Sequence, residues 1–281
     1  MRPQVTAEHA ERFPEHGAQA RAGAPSILAA ASCTEWGHPR ADLLLAADEV
    51  HLWRASLDAD DAQLHRFWLT LSADERDRAS RFHFLRGRQE FTAARGILRI
   101  LLGRYTSTQA GRLRFAYGPK GKPYLAGKPH ADGVRFNLSH SNGIALYAFS
   151  LGREVGVDVE CMRAASSSQR IAQQFFSPRE AAAIRRLPAH LQSQAFLACW
   201  TGKEAWLKAK GAGLGDPWNE FEVSLSPEGD ALLLRDAEDS SRTDACFFES
   251  FRPAPGYVGA FVALGGAVEL HRWDWAAAAF A

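Results

Sequence analysis

Cysteine is scarce in this chain and is not placed to pair. Cys33, Cys161, Cys199 and Cys246 are the only four in 281 residues, and no two form a CxxC. That spacing gives neither a zinc-binding pattern nor a disulfide framework. An excess of one charge is also missing, with 33 Lys and Arg against 32 Asp and Glu. The balance argues against bulk binding to nucleic acid or to a membrane surface, while leaving room for a local basic pocket. No uncharged apolar run approaches the ~20 residues that a membrane-spanning helix needs. The opening MRPQVTAEHAERFPEHG is polar and lacks the apolar stretch of a secretion leader. The phosphate-cradling pattern GxxxxGK[ST] is absent too. These absences lead us to expect a reduced, cytoplasmic protein with no nucleic-acid or membrane partner. Core material is not lacking, since hydrophobic residues make up 46% of the chain.

Residues 1–46 have weak periodicity and much Ala, Gly and Pro, and are expected to be a loosely ordered or accessory extension. Glu49 to Arg54 alternates as a strand does. Ser72 with Glu75 three residues later is a capping-box signature, and a longer helix follows from about Arg88 to Tyr105. Its apolar stripe is Phe91, Ala94, Leu98, Leu101 and Leu102. Strands are expected at Leu113–Phe115, Val134–Leu138 and Ile144–Phe149. The second half repeats this order. Ser177, Pro178 and Glu180 form another capping box, with proline just inside the helix. At the same shift of 105 residues, Gln89-Glu-Phe91 falls on Gln194-Ala-Phe196. At a slightly longer shift, GIALYAFSLG (143–152) resembles GYVGAFVALG (256–265). A long-period match in two places points to duplication. The expected fold is therefore α/β (α+β), a pseudo-twofold pair of similar lobes at 47–150 and 151–275. Clefts between such lobes are where small ligands bind.

Val155, Val157 and Val159 alternate with Gly156, Asp158 and Glu160. On a strand this sends the valines to a core and both carboxylates to the opposite face. Paired carboxylates repel, more so when buried, and a hard divalent cation resolves the conflict. An acidic, solvent-facing strand is the alternative. WTGKEAWLKAKGAGL (200–214) reads as a helix closed by glycine. It places Glu204 and Lys208 one turn apart, either as a solvated ion pair or as a third metal ligand beside a phosphate-binding lysine. In FNLSHS (136–141), Ser139 can donate a hydrogen bond and His140 can meet a phosphate. A Ser139–His140 nucleophile pair is disfavoured, because adjacent side chains on extended backbone point apart and no nucleophile elbow surrounds them. YGPKGKPYL (117–125) is a turn-rich basic loop with Lys120, Lys122 and Pro123, and Arg78, Arg81, Arg86 and Arg88 form a further basic cluster.

Taken in order, the basic helix at Arg78, KGKPYL, FNLSHS, GVDVE and WTGKEAWLKAKGAGL resemble the 4'-phosphopantetheinyl transferase superfamily of the Sfp type over roughly residues 48–265. The resemblance implies two similar lobes in one chain. It implies transfer of the phosphopantetheine arm of coenzyme A to a serine of an apo acyl or peptidyl carrier protein, releasing adenosine 3',5'-bisphosphate. It further implies that Asp158, Glu160 and Glu204 bind Mg²⁺ (or Mn²⁺) with the pyrophosphate. Lys208 would contact the pyrophosphate and serve the leaving group. Ser139 would reach a phosphate, His140 and Arg78 the 3'-phosphate, and the Lys120–Pro123 loop the adenine nucleotide. Catalytic roles would thus fall to Glu204, Lys208 and Asp158, with either Glu204 or a metal-bound water as base. The extension before residue 47 has no counterpart in that family's compact core. Glu75 stands in a region where some relatives carry lysine. Trp206 stands where Tyr or Phe is common. Two fused lobes lead to the expectation of a monomer. The alternatives are another Mg²⁺-dependent phosphodiester or nucleotide enzyme, and a non-catalytic coenzyme A-binding module.

Overall fold

The computed structural model describes residues 33–39, 43–127, 133–162, 175–212, 218, 221–226, 231–236 and 246–276. Most of the expected extension, and Gly213-Leu214 at the end of the long motif, lie outside these residues. The described part of the extension is docked on the body. Trp36 Nε1 donates to Pro253 O, and Gly37 bridges to Trp273.

Two sheets and two groups of helices make the core. β1 (Glu49–Ser56) leads to α1 (Asp61–Thr70), α2 (Ala73–Ser80) and α3 (Leu85–Tyr105). The hairpin β2 (Phe115–Tyr117) and β3 (Pro123–Leu125) comes next, then β4 (Val134–Ser141), β5 (Ile144–Leu151) and β6 (Val155–Cys161). Helices α4 (Pro178–Arg186) and α5 (Ala189–Lys210) follow. The strands β7 (Phe221–Leu225), β8 (Ala231–Asp236), β9 (Cys246–Phe251), β10 (Tyr257–Leu264) and β11 (Glu269–Asp274) complete the order. The strand expected from Leu113 begins two residues later. A 3-10 turn at Ala110–Arg112 occupies the approach, and Phe115 is the first residue to pair, opposite Leu125.

The first sheet runs β11-β1-β5-β4 and the second β6-β10-β9. Alternation along the strands builds two cores at once. Val50, Leu52, Leu146 and Ala148 face the second sheet, where Val155, Val157, Val159, Phe251, Phe261 and Ala263 meet them. The intervening residues Trp53, Ala55, Ala145, Tyr147 and Phe149 face the other way, onto α3 residues Ile97, Leu98, Leu101 and Leu102. Beneath the second sheet, Trp206 and Ala209 of α5 pack with Ala260 and Val262 of β10. The result is layered helix, sheet, sheet, helix.

Both capping boxes expected from the sequence form, at Ser72/Glu75 and Ser177/Glu180. Each capping glutamate is buried and held by cations from the long helix that follows it. Glu75 receives Arg95 and Arg99, and Glu180 receives Lys203. The resembling segments become β5 and β10, an interior strand of each sheet. The halves correspond from the capping-box helix onward, α2 and α3 with α4 and α5, and β5 with β10, which makes a duplication plausible; α1 has no counterpart among the described residues. The halves are not closed units, since β11, at the end of the second half, pairs in parallel with β1 of the first sheet.

Candidate functional site

The site forms along a seam where the edge strands of the two sheets, β4 and β6, run together. Every second side chain of β4 reaches across it. Asn137 Oδ1 accepts from Val157 N at 2.9 Å. Ser139 Oγ donates to Asp158 Oδ1 at 2.7 Å. Ser141 Oγ donates to Glu160 Oε2 at 2.9 Å. The period of two in NLSHS thus becomes a polar clasp between the halves. His140, on the opposite face, points towards the first group of helices. Its Nδ1 is buried without a hydrogen bond, and burial lowers its pKa, with Glu90 opposing and Lys208 and Arg78 adding to the effect. Ser139 and His140 do point apart, and Ser139 is engaged by Asp158 and Lys208.

Behind β6 lies α5. Gly156 permits the contact, because a Cβ there would come within 2.0 Å of Ala205 O and 2.4 Å of Ala209 N. The helix can thus lie close against the strand and bring Glu204 and Lys208 to Asp158 and Glu160. Lys208 Nζ donates to Asp158 Oδ1 at 2.6 Å and to Ser139 Oγ at 3.1 Å. Gly211, left-handed at φ 69°, ends the helix one turn later, as expected for a C-terminal glycine.

Electrostatics mark the cluster as anion-rich. Burial, reinforced by the Asp158 charge, pushes Glu160 up to about 8. Burial pushes Glu204 up to about 7, with Lys208 opposing and Asp158 adding. Burial alone would lower Lys208, but Asp158 and Glu204 raise it above the ordinary lysine value. Asp158 Oδ2 is buried with no hydrogen-bond partner. A carboxylate oxygen left without a donor, in the field of two carboxyls that resist ionisation, suits a hard divalent cation with oxygen ligands, although Asp158, Glu160 and Glu204 do not bring one oxygen each within 4.8 Å of the other two.

The basic residues divide. Arg78 lies on α2 with its guanidinium 5.2 Å from the Phe91 ring and acts electrostatically on His140. Lys120 is exposed at the hairpin turn, with Pro123 opening β3. Lys122, expected to flank a nucleotide, has its ammonium engaged by Glu154 Oε2 at 2.7 Å and by the carbonyls of Val155 and Ala209 at 3.1 Å each. It ties the hairpin to the start of β6 and the end of α5, which positions the loop. Glu75, buried with Arg95 and Arg99, belongs to the core of the first helical layer. Trp206 fits the core and is 1% exposed.

Sequence reasoning passed over three participants. Asn137 and Ser141 could have been read from the alternation with Ser139. Glu154, which holds Lys122 and Arg135, carries no local signal.

Comparison with known proteins bears on this arrangement. The family model described as 4'-phosphopantetheinyl transferase superfamily matches residues 154–262, and that described as 4'-phosphopantetheinyl transferase, N-terminal, matches residues 53–150. The 4'-phosphopantetheinyl transferase HetI of Nostoc sp. is 44% identical over 192 residues, covering 68% of this chain and 81% of the relative. The chain belongs to the 4'-phosphopantetheinyl transferase superfamily. It is an enzyme of that family. The 4'-phosphopantetheinyl transferase Sfp of Bacillus subtilis is 27% identical over 192 residues, again 68% and 81% of the two chains. The two family matches meet at the join between β5 and β6, so in this transferase the seam that builds the site is also the boundary between the matched regions. Among the described residues, no helix is long and apolar enough to cross a membrane.

Proposed function

We propose that the seam transfers the 4'-phosphopantetheine group of coenzyme A to a serine hydroxyl of an apo acyl or peptidyl carrier protein. The supporting observation is the grouping of buried Asp158 with half-buried Glu160 and Glu204 near Lys208, with Ser139 bridging Asp158 and Lys208. The serine oxygen forms a bond to the phosphorus bearing the pantetheine arm. The bridging P–O bond of the pyrophosphate breaks, and its electron pair leaves on adenosine 3',5'-bisphosphate. Such a displacement needs positioning and neutralisation of developing charge more than covalent help.

The chain's own groups are suited to this. Asp158, Glu160 and Glu204 would hold Mg²⁺, or Mn²⁺ in its place. When bound, the ion supplies positive charge against the pyrophosphate. The Lys208 ammonium, raised above the usual lysine value, remains charged at neutral pH and can bind or protonate the departing phosphate. Ser139 orients Asp158 and Lys208 through its hydroxyl. His140 and Arg78, neighbours on the helix side of β4, would offer donors to the 3'-phosphate, and the hairpin bearing Lys120 and Pro123 would meet the adenine nucleotide. Either Glu204 or a metal-bound water would accept the serine proton, since Glu204 cannot serve fully as ligand and as base at once.

The test is intact-mass measurement of an apo carrier protein after incubation with this protein, coenzyme A and Mg²⁺. Wild type should add one phosphopantetheine, Asp158→Ala should add none, and excess EDTA should stop the reaction until Mg²⁺ is restored. Coenzyme A hydrolysis without carrier modification would instead favour another phosphodiester activity. Coenzyme A binding with no turnover of several carriers would favour a binding module.

A further inference from the structure

On the far edge of the first sheet, away from the seam, the chain carries one short pattern twice. Glu49-Val-His-Leu-Trp53 and Glu269-Leu-His-Arg-Trp273 both read E-x-H-x-W. The two copies pair in parallel and in register. Glu49 lies opposite Glu269, His51 opposite His271, and Trp53 opposite Trp273. With a period of two, all six side chains share one face of the β1–β11 pair, the face towards α3.

Two carboxylates directly opposite each other on neighbouring strands repel, and here the His271 imidazole reaches both of them. His271 Nε2 is 3.6 Å from Glu49 Oε1 and 3.3 Å from Glu269 Oε1. That nitrogen is shielded from solvent on a side chain 30% exposed, and it makes no hydrogen bond with either. One donor atom each from Glu49, Glu269 and His271 lie within 4.8 Å of one another. Ligands held tetrahedrally at ~2.0–2.1 Å from zinc stand about 3.3 Å apart, which the two measured separations approach.

The surroundings fix the donors. Ala46 N donates to Glu49 Oε2 at 2.9 Å, leaving Oε1 towards His271. His51, only 4% exposed, has its Nε2 3.7 Å from Glu49 Oε2. Its Nδ1 is 2.7 Å from the Tyr105 hydroxyl, which also accepts from Trp53 Nε1 at 2.9 Å. The His271 ring stacks on Trp273, 1° from parallel. A carboxylate oriented by a second polar layer is the usual setting of a metal ligand.

We propose that Glu49, Glu269 and His271 form a second divalent-cation site, separate from the seam, that takes a borderline transition metal ion such as Zn²⁺ and fastens β11 to β1. One imidazole nitrogen and two carboxylate oxygens suit such an ion better than Mg²⁺, which favours oxygen alone. The fourth position is open to water, so the site is a clamp with one exchangeable ligand.

The test is titration of metal-stripped, tag-free full-length protein with Zn²⁺ in saturating Mg²⁺, read by calorimetry and by thermal midpoint. Co²⁺ absorption reports the donor set. Wild type and Asp158→Ala should each bind one Zn²⁺ at this site with a raised midpoint. Glu269→Gln and His271→Gln should bind at least 10-fold more weakly and lose the rise. Glu269 is 65% exposed at its side chain, so Glu269→Gln should fold and keep transferase activity. Zn²⁺ binding that survives both Gln variants, disappears with Asp158→Ala, or is absent from wild type would overturn the proposal.

Discussion

Lys208 and Asp158 come from different layers, a helix and a strand 50 residues apart, and meet at 2.6 Å on the oxygen that Ser139 also donates to. One carboxylate oxygen therefore serves two donors, while its partner oxygen has none.

Removing the lysine charge should leave the Asp158 carboxylate without the ammonium that it meets at 2.6 Å. Lys208→Ala should lower turnover by about 10²–10³-fold, the scale seen when one charge-stabilising donor is lost. Lys208→Arg should recover only part of it, since a planar fork does not reproduce a compact ammonium. Steady-state transfer assays on both variants check this.

Glu160 and Glu204 predict how stability changes with pH. Their folded values, about 8 and about 7, lie above the ordinary glutamate range, so between roughly pH 4.5 and 8 the folded state holds more protons than the unfolded chain. Stability of the metal-free protein should then fall as pH rises through that window. His51, lowered by burial to about 4, acts oppositely below about pH 6.5, so the cleanest interval is pH 7–8. Thermal midpoints in EDTA should drop across it. Glu160→Gln should flatten the drop, and a slope unchanged in that variant would remove Glu160 as its cause.

The two roles open to Glu204 can be separated. If it is the base, Glu204→Gln should abolish transfer while Mg²⁺ still binds with nearly wild-type affinity. If it is chiefly a ligand, the same variant should weaken Mg²⁺ binding by at least 10-fold, and high Mg²⁺ should restore part of the activity. Titration of Mg²⁺ against rate distinguishes them.

Gly156→Ala should destabilise by about 3 kcal/mol or more, at or beyond the upper end of ordinary overpacking, because the new methyl would meet helix backbone on two sides. Denaturant unfolding of that variant, beside Gly118→Ala where the nearest atom is 3.7 Å away, measures the difference.

In the first layer, Glu75→Gln should cost about 3–5 kcal/mol, the range for breaking a buried ion pair, since Arg95 and Arg99 would lose their carboxylate. Activity per folded molecule should change far less than stability. Parallel unfolding and transfer assays check both.

What could be read from the sequence was local. The valines of GVDVE, the capping boxes and the glycine ending α5 each follow from spacing alone, and each stands where that spacing puts it. The motif residues also converge, because alternation on β4 and β6 and the i,i+4 pair on α5 leave few ways to face one another. What could not be read depends on partners distant in sequence. Lys122 resembles a ligand-binding lysine until Glu154, Val155 and Ala209 take its three donors. The docking of Trp36 and the return of β11 are tertiary events without a local pattern. The repeated E-x-H-x-W gains meaning only when its copies are paired.

The β1–β11 pairing also imposes an order in time. During synthesis the outer edge of β1 emerges more than two hundred residues before the strand that covers it. Until Glu269–Asp274 has left the ribosome, one of the first strands made exposes a row of unanswered backbone donors and acceptors. The nascent chain is thus most vulnerable to wrong pairing late in translation, and a stop codon just before residue 269 would damage the first half of the molecule more directly than the second.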